Sequence, residues 1–134
     1  GRGHLLRQGK DLTLVAAGAI MTIQALKTAK QLADHGLEAQ VVSTPWLNCI
    51  DLTWFAGLLT GVQPVVTLEN HGVENGFGCF LVSQLAMAGL LGQRKVLIEG
   101  IRGIPTCGRN DEVLVQHGLD EGGLTKAIMQ AVRG

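Results

Sequence analysis

Residues Val65 to Ala88 read VVTLENHGVENGFGCFLVSQLAMA, and this stretch decides the fold. A β-branched run ends at Glu69, a glycine-punctuated loop carries His71, and an apolar helix starts just beyond Gly76. Strand, glycine loop and helix in succession are the repeating step of an open α/β sheet. The carboxyl edge of such a sheet is where ligands and partners are met. Glu69, His71, Asn75, Gly76 and Gly78 therefore stand as candidates for contact with a ligand or another protein surface, and Arg102 joins them from a later loop.

Working upstream, Pro64 opens the strand Val65 to Leu68 and Gly61 ends a short helix for which Asp51 is a good N-cap. Glu38 to Ser43 is a further strand, closed by Pro45. Asp11 to Ala17 (DLTLVAA) is a short apolar run of the kind buried on both faces of a parallel sheet. Between them, Ile20, Ile23, Leu26, Ala29, Leu32 and Ala33 recur at helical spacing, giving a helix to His35 with one buried face and Gly36 as its stop. Leu5 to Arg7 adds a short edge strand, expected antiparallel.

Downstream, the helix from about Gly76 to Ala88 turns Phe77, Phe80, Leu81, Leu85 and Ala88 inward, and Lys95 to Ile101 (KVLIEGI) is the next strand. A loop through Gly103-Ile104-Pro105 leads to a short helix capped by Asn110 or Asp111 and ended by Gly118. Asp120 caps the last helix, where Leu124, Ala127, Ile128, Ala131 and Val132 follow helical spacing. Strands alternating with helices require crossovers, hence a mostly parallel sheet with helices on both faces.

The chain has 134 residues, enough for one domain over 1–134 and too few for two ordinary ones. Eleven basic and eleven acidic residues cancel, with no charge run at either end, so the electrostatic footprint of a nucleic-acid or anionic-membrane binder is missing. The few aromatics sit in apolar surroundings rather than among basic residues, which also argues against a base-stacking platform. No apolar stretch reaches membrane-spanning length, and no signal peptide is visible. Cys49, Cys79 and Cys107 lie about thirty positions apart, which is neither a disulfide framework nor a zinc site, and they read as small buried hydrophobes in a reducing cytosol. The chain opens on Gly1 rather than Met, directly on a polar strand-like stretch, and is expected to be a fragment of a longer enzyme.

The polar constellations each admit a plainer account. Gly18-Ala19-Ile20-Met21-Thr22 joins a strand to a helix but lacks the later glycines of a dinucleotide fingerprint and the Lys of a P-loop. Gly72, Gly76 and Gly78 also fall short of that fingerprint, because Leu81 occupies its third position. Glu69 and His71 admit an acid–base pair or a phosphate contact beside a helix N-terminus. The alternative, a hydrogen-bonded pair ordering a loop at a domain or subunit contact, is preferred because no nucleophile accompanies them. Scattered His4, His35 and His117 make no metal site, and Ser43 and Ser83 lack the hydrolase elbow. Arg102 and Arg109 flank the Gly-Ile-Pro loop, where they suit a carboxylate, a phosphate or acidic neighbours on a solvated rim.

Taken in order, these stretches resemble the C-terminal domain of the transketolase family, over Gly3 to Val132. Gly9-Lys10-Asp11-Leu12-Thr13-Leu14-Val15-Ala16-Ala17-Gly18 is similar to the family's opening strand. Thr67-Leu68-Glu69-Asn70-His71 followed by Gly76-Phe77-Gly78 resembles its Glu-x-His and glycine-turn segment, and the Glu-x-His form leans toward transketolase itself. Gly103-Ile104-Pro105, then Gly118-Leu119-Asp120 with Gly123-Leu124, resemble its closing tail. Two positions depart: Thr106-Cys107-Gly108 follows Pro105 where an acidic residue and an aromatic are common, and Asn75 stands where Gly is frequent. The family spans transketolase, deoxyxylulose-phosphate synthase and the beta subunits of 2-oxoacid dehydrogenases.

The resemblance implies a three-layer α/β/α sandwich with a five-stranded, mostly parallel sheet and one antiparallel edge strand. It implies a parent that moves two-carbon ketol units between sugar phosphates with thiamine diphosphate and Mg2+, both held by domains other than this one. This domain would then be non-catalytic and serve assembly, with no catalytic or metal residue of its own. Its partners would be the thiamine diphosphate-binding domains and, in the parent, a second copy in a cytoplasmic homodimer. By itself it is expected to be soluble and at most a weak dimer. Two alternatives stay open: a free-standing interaction or small-ligand module, and a beta-subunit domain docking onto an acyltransferase.

Overall fold

The computed structural model describes residues 1–61 and 63–134. Its elements run β1 (His4–Arg7), β2 (Leu12–Ala17), α1 (Gly18–Asp34), β3 (Ala39–Thr44), α2 (Leu52–Leu58), β4 (Val65–Gly72), α3 (Phe77–Met87), β5 (Val96–Ile101), α4 (Asn110–Gln116) and α5 (Glu121–Arg133). The five strands form one sheet in the order β1-β3-β2-β4-β5. β2 pairs in parallel with β3 and β4, and β4 with β5; only β1 is antiparallel, with His4 opposite Ser43. The α/β/α sandwich with one antiparallel edge strand is thus the one the sequence implies.

β2 is central because every residue in it is apolar or Thr, and all six are buried. Side chains alternate across the pleat. Leu12, Leu14 and Ala16 face a core shared with α1, α5 and Leu114 of α4, whereas Val15 and Ala17 face a second core with Phe55 of α2 and Phe77, Leu81 and Leu85 of α3. Truncating a fully buried leucine such as Leu14 to Ala costs about 2–5 kcal/mol in cores of this kind. Asp51 and Asp120 cap α2 and α5 as read from sequence, accepting from Trp54 N–H at 2.9 Å and Gly123 N–H at 3.3 Å. No helix among the described residues is long and apolar enough to cross a membrane.

Several expectations are corrected. The buried face of α1 is Met21, Gln24, Ala25, Thr28, Ala29 and Leu32, while Ile23 is 54% exposed and Leu26 39%. Three residues advance a helix by about 300°, so a stripe stepping only by three drifts about 60° each time and leaves the buried face. Small Ala25 and Ala29 instead let the helix lie close to the sheet. α3 ends at Met87, so Ala88 is its exposed C-cap, and Phe80 is only half-buried. α4 is capped at Arg109, whose N–H donates to Glu112 Oε2 at 3.1 Å, rather than at Asn110 or Asp111. All three cysteines are exposed, because each sits on a loop or on the outward face of α3 rather than in either core.

β4 runs on to Gly72, beyond the point where its β-branched run ends. Its pairing with β5 breaks after Leu68 and resumes at Gly72 opposite Ile101. The irregular stretch between is the one that carries Glu69 and His71.

Glu99 on β5 shares a sheet face with Leu97 and Ile101, and burial pushes its carboxyl above the ordinary value of 4.5 despite the opposing charge of Arg102. The unfolded chain therefore releases this proton first. Stability is unpenalised below the ordinary value and falls as pH rises through the raised folded value. Glu99→Gln is expected to match the unaltered chain well below pH 4.5 and to melt higher at neutral pH; equal melting temperatures at both would contradict this.

Candidate functional site at the carboxyl edge of the sheet

The chain leaves β2 toward β3 on one side, and β4 lies on the other, so the strand order reverses between β2 and β4. In open α/β sheets the carboxyl ends of the two strands at such a switch point bound a crevice. Here it is a hollow of about 520 Å³ lined by Gly18, by Asn70, His71 and Asn75, and by Leu47 and Phe80. Gly18 has φ 79°, a left-handed turn that sends the chain straight from β2 into α1.

Glu69 lies at the base and is only 3% exposed. Its carboxylate is turned under α3: Oε2 accepts from the Phe77 N–H at 2.8 Å and Oε1 from the Gly78 N–H at 2.9 Å. The first turn of any helix has unpaired N–H groups that need an acceptor. Gly76, the N-cap residue, has no side chain to offer one. Glu69 supplies it from the neighbouring strand and complements the positive end of the helix dipole.

The glycines around this contact are there because α3 and β5 pack close to β4. A Cβ on Gly76 would sit on the Glu69 carboxyl and the Gly72 carbonyl, and one on Gly78 would lie 2.6 Å from Ile98 Cγ2. A Cβ on Gly100 of β5 would stand 2.9 Å from Glu69 Cγ, the His71 carbonyl and Val73 Cγ1. Gly100 was missed from the sequence, although a glycine inside the apolar strand VLIEGI is itself a sign of close backbone approach. Asn75 makes the turn before Gly76 at φ 59°, a left-handed conformation that Asn tolerates better than most residues.

His71 lines the same crevice as Glu69, Asn75 and Gly76, whereas Arg102 does not. His71 is exposed at the rim, and among the described residues no hydrogen bond joins it to Glu69. Arg102 borders a separate hollow beside Gly72, Val73 and Glu74, where its guanidinium donates to the Ile98 carbonyl at 2.8 Å. Asn70, quoted above only as part of a motif and not as a site candidate, lines both the main crevice and a hollow of about 400 Å³ beside the Thr106–Asn110 loop. That loop is held by Thr106, whose N–H donates to His117 Nε2 at 3.3 Å.

What the edge presents is an open crevice floored by a helix whose first donors are already satisfied from within. Fold and crevice together define a doubly wound α/β module. The sequence profile described as "Transketolase, C-terminal domain" matches residues 1–124, and the chain belongs to that family. It is 31% identical over 134 residues to a putative transketolase C-terminal section of Methanocaldococcus jannaschii, covering 99% of this chain and 40% of that protein. It is 33% identical to a 1-deoxy-D-xylulose-5-phosphate synthase of Desulforudis audaxviator, covering 88% of this chain and 17% of the synthase.

A solved structure described as a split gene transketolase, inactive beta4 tetramer, superposes with a TM-score of 0.86 at 31% identity, over 98% of this chain and 42% of that one. A transketolase of Pichia stipitis shares the fold, with a TM-score of 0.74 at 18% identity, over 98% of this chain and 18% of that enzyme. The chain thus spans about two fifths of the archaeal relative's length and less than a fifth of the Desulforudis synthase's.

Proposed function

We propose that this chain is the C-terminal, non-catalytic assembly domain of a thiamine diphosphate-dependent transketolase-like enzyme. The full-length protein moves two-carbon ketol units between sugar phosphates in the cytoplasm, and a second copy completes its dimer. The observation that carries the reading is the placement of Glu69. A general acid or base must reach a substrate proton, and both oxygens of this carboxylate are occupied by the backbone of α3.

The crevice is a poor fit for the cofactor. A diphosphate needs free N–H donors, and those of Phe77 and Gly78 already serve Glu69, which leaves the first turn of α1 beside Gly18 as the helix start there without a side-chain cap. Mg2+ held with a diphosphate takes one or two carboxylates beside the phosphate oxygens, and the carboxylate lining the crevice, that of Glu69, is turned under α3. Cofactor and metal accordingly belong to the other domains of the parent, which are this chain's partners.

The test is whether the natural protein carrying this sequence transfers ketol units when supplied with thiamine diphosphate and Mg2+, while residues 1–134 alone do not. Ketol transfer by the short chain would sink the assembly reading. A natural protein with no thiamine diphosphate-binding part would leave the free-standing module.

A further inference from the structure

Asn75 is one of four asparagines in the chain, with Asn48, Asn70 and Asn110, and all four are exposed. It alone is followed by glycine. Asparagine is labile where the backbone nitrogen of the next residue can reach its side-chain carbonyl. Glycine makes that approach easiest, because it has no Cβ to obstruct the closing ring and leaves the backbone free to turn. The sequence thus singles out one position, and the fold decides whether it reacts.

Val73 to Gly76 form a turn closed by the Gly76 N–H, which donates to the Val73 carbonyl over a long 3.3 Å. Asn75 takes the left-handed position of that turn at φ 59°, the one non-glycine residue with positive φ among those described. Opening the turn releases the strain held there. The Asn75 side chain makes no hydrogen bond among the described residues, so its amide can swing onto the main chain. The Gly76 nitrogen stands just before α3, which starts at Phe77, and so at the positive end of the helix dipole. That end favours the negative charge that appears on the nitrogen, and then on the amide oxygen, as the ring closes. Against this, Gly76 is buried and the Glu69 carboxylate is close by, which slows loss of the N–H proton.

We propose that Asn75–Gly76 is a self-modification site, at which the chain converts asparagine to aspartate and isoaspartate and thereby loosens the hold of Glu69 on α3. The Gly76 nitrogen gives its proton to water or hydroxide and attacks the side-chain carbonyl carbon of Asn75. A C–N bond forms there, the bond from that carbon to the amide nitrogen breaks, and ammonia leaves with a proton from solvent. Water then opens the five-membered imide. Opening at the side-chain carbonyl gives aspartate. Opening at the main-chain carbonyl gives isoaspartate, whose main chain runs through the former side chain and is longer by one carbon.

The added carbon falls where the fold has no slack. A Cβ on Gly76 would already meet the Glu69 carboxyl and the Gly72 carbonyl, so a lengthened chain carries Gly76 away from both. Phe77 and Gly78 follow, and their N–H groups leave the Glu69 oxygens they now reach at 2.8 and 2.9 Å. This inference is independent of the function proposed above.

Ageing the natural protein at neutral and mildly alkaline pH tests it. Peptide mapping by mass spectrometry reads the gain of one mass unit at each asparagine. An isoaspartyl methyltransferase reads the isoaspartate, and hydrogen exchange reads the segment containing Phe77 and Gly78. The expected result is conversion at position 75 ahead of Asn48, Asn70 and Asn110, and slower than in the same protein unfolded in urea. The converted fraction, separated by its extra negative charge, exchanges faster at Phe77 and Gly78. Asn75→Gly suits the left-handed turn; it folds, gains no mass at that position and keeps its exchange on ageing. Conversion at position 75 no faster than at Asn48, or unchanged exchange at Phe77 and Gly78 in the isoaspartate fraction, overturns the inference.

Discussion

Glu69→Ala is expected to lower the stability of the chain by about 3 kcal/mol, because it leaves two buried N–H groups without an acceptor at roughly 1–3 kcal/mol each. For a domain of this length that corresponds to a fall in melting temperature of about 10 °C. The loss comes from the Phe77 and Gly78 N–H groups, which among the described residues Glu69 serves. Glu69→Gln separates geometry from volume. Its carbonyl still accepts one N–H, but its amide presents hydrogens to the other, so it recovers only part of the loss. Chemical denaturation of the three proteins measures this. A Glu69→Ala chain as stable as the original would show that the carboxylate has some role other than holding α3.

Gly76→Ala is the second large effect, and its origin is purely steric. The backbone at Gly76, with φ −81° and ψ −174°, is open to any residue. In such a place alanine would normally gain about 0.4–1 kcal/mol by restricting the unfolded chain. Here the added Cβ would fall on the Gly72 carbonyl and lie 2.8 Å from Glu69 Cδ. Overpacking against so stiff a neighbourhood costs about 2–3 kcal/mol net. Half of the obstruction is Glu69 itself, so the double variant Glu69→Ala with Gly76→Ala should lose less than the sum of the singles, by about 1 kcal/mol. Strict additivity would mean that carboxyl and glycine are not in contact.

These two variants also mark the limit of what the sequence could tell. The apolar run of β2 and the aspartates at 51 and 120 are local signals: each reports on a strand or a helix start within a few residues of itself. The fold followed from them and from the family's motifs. The partnership of Glu69 with α3 is not local. A cap is sought in the residue at the helix start, where this chain has a glycine, and the acceptor comes instead from eight and nine positions back across a turn.

The same limit explains the face of α1. Its periodicity was visible, but which of two overlapping apolar stripes meets the sheet depends on how closely Ala25 and Ala29 let the helix approach. It explains the cysteines too, since their residue type favours burial while loops and helix faces decide it. Gly100 was legible in principle, yet its reason for being glycine lies on another strand.

The glycine-rich segment that first suggests an active site is better understood as a lock. Glu69 holds α3, and Gly76 and Gly100 make room for it. The most direct measurement is titration calorimetry with thiamine diphosphate and Mg2+, paired with a ketol-transfer assay, on residues 1–134 and on the natural protein that contains them. No binding heat and no transfer are expected of the short chain, and both are expected of the natural protein. Cofactor binding at micromolar concentration by residues 1–134 alone would contradict it.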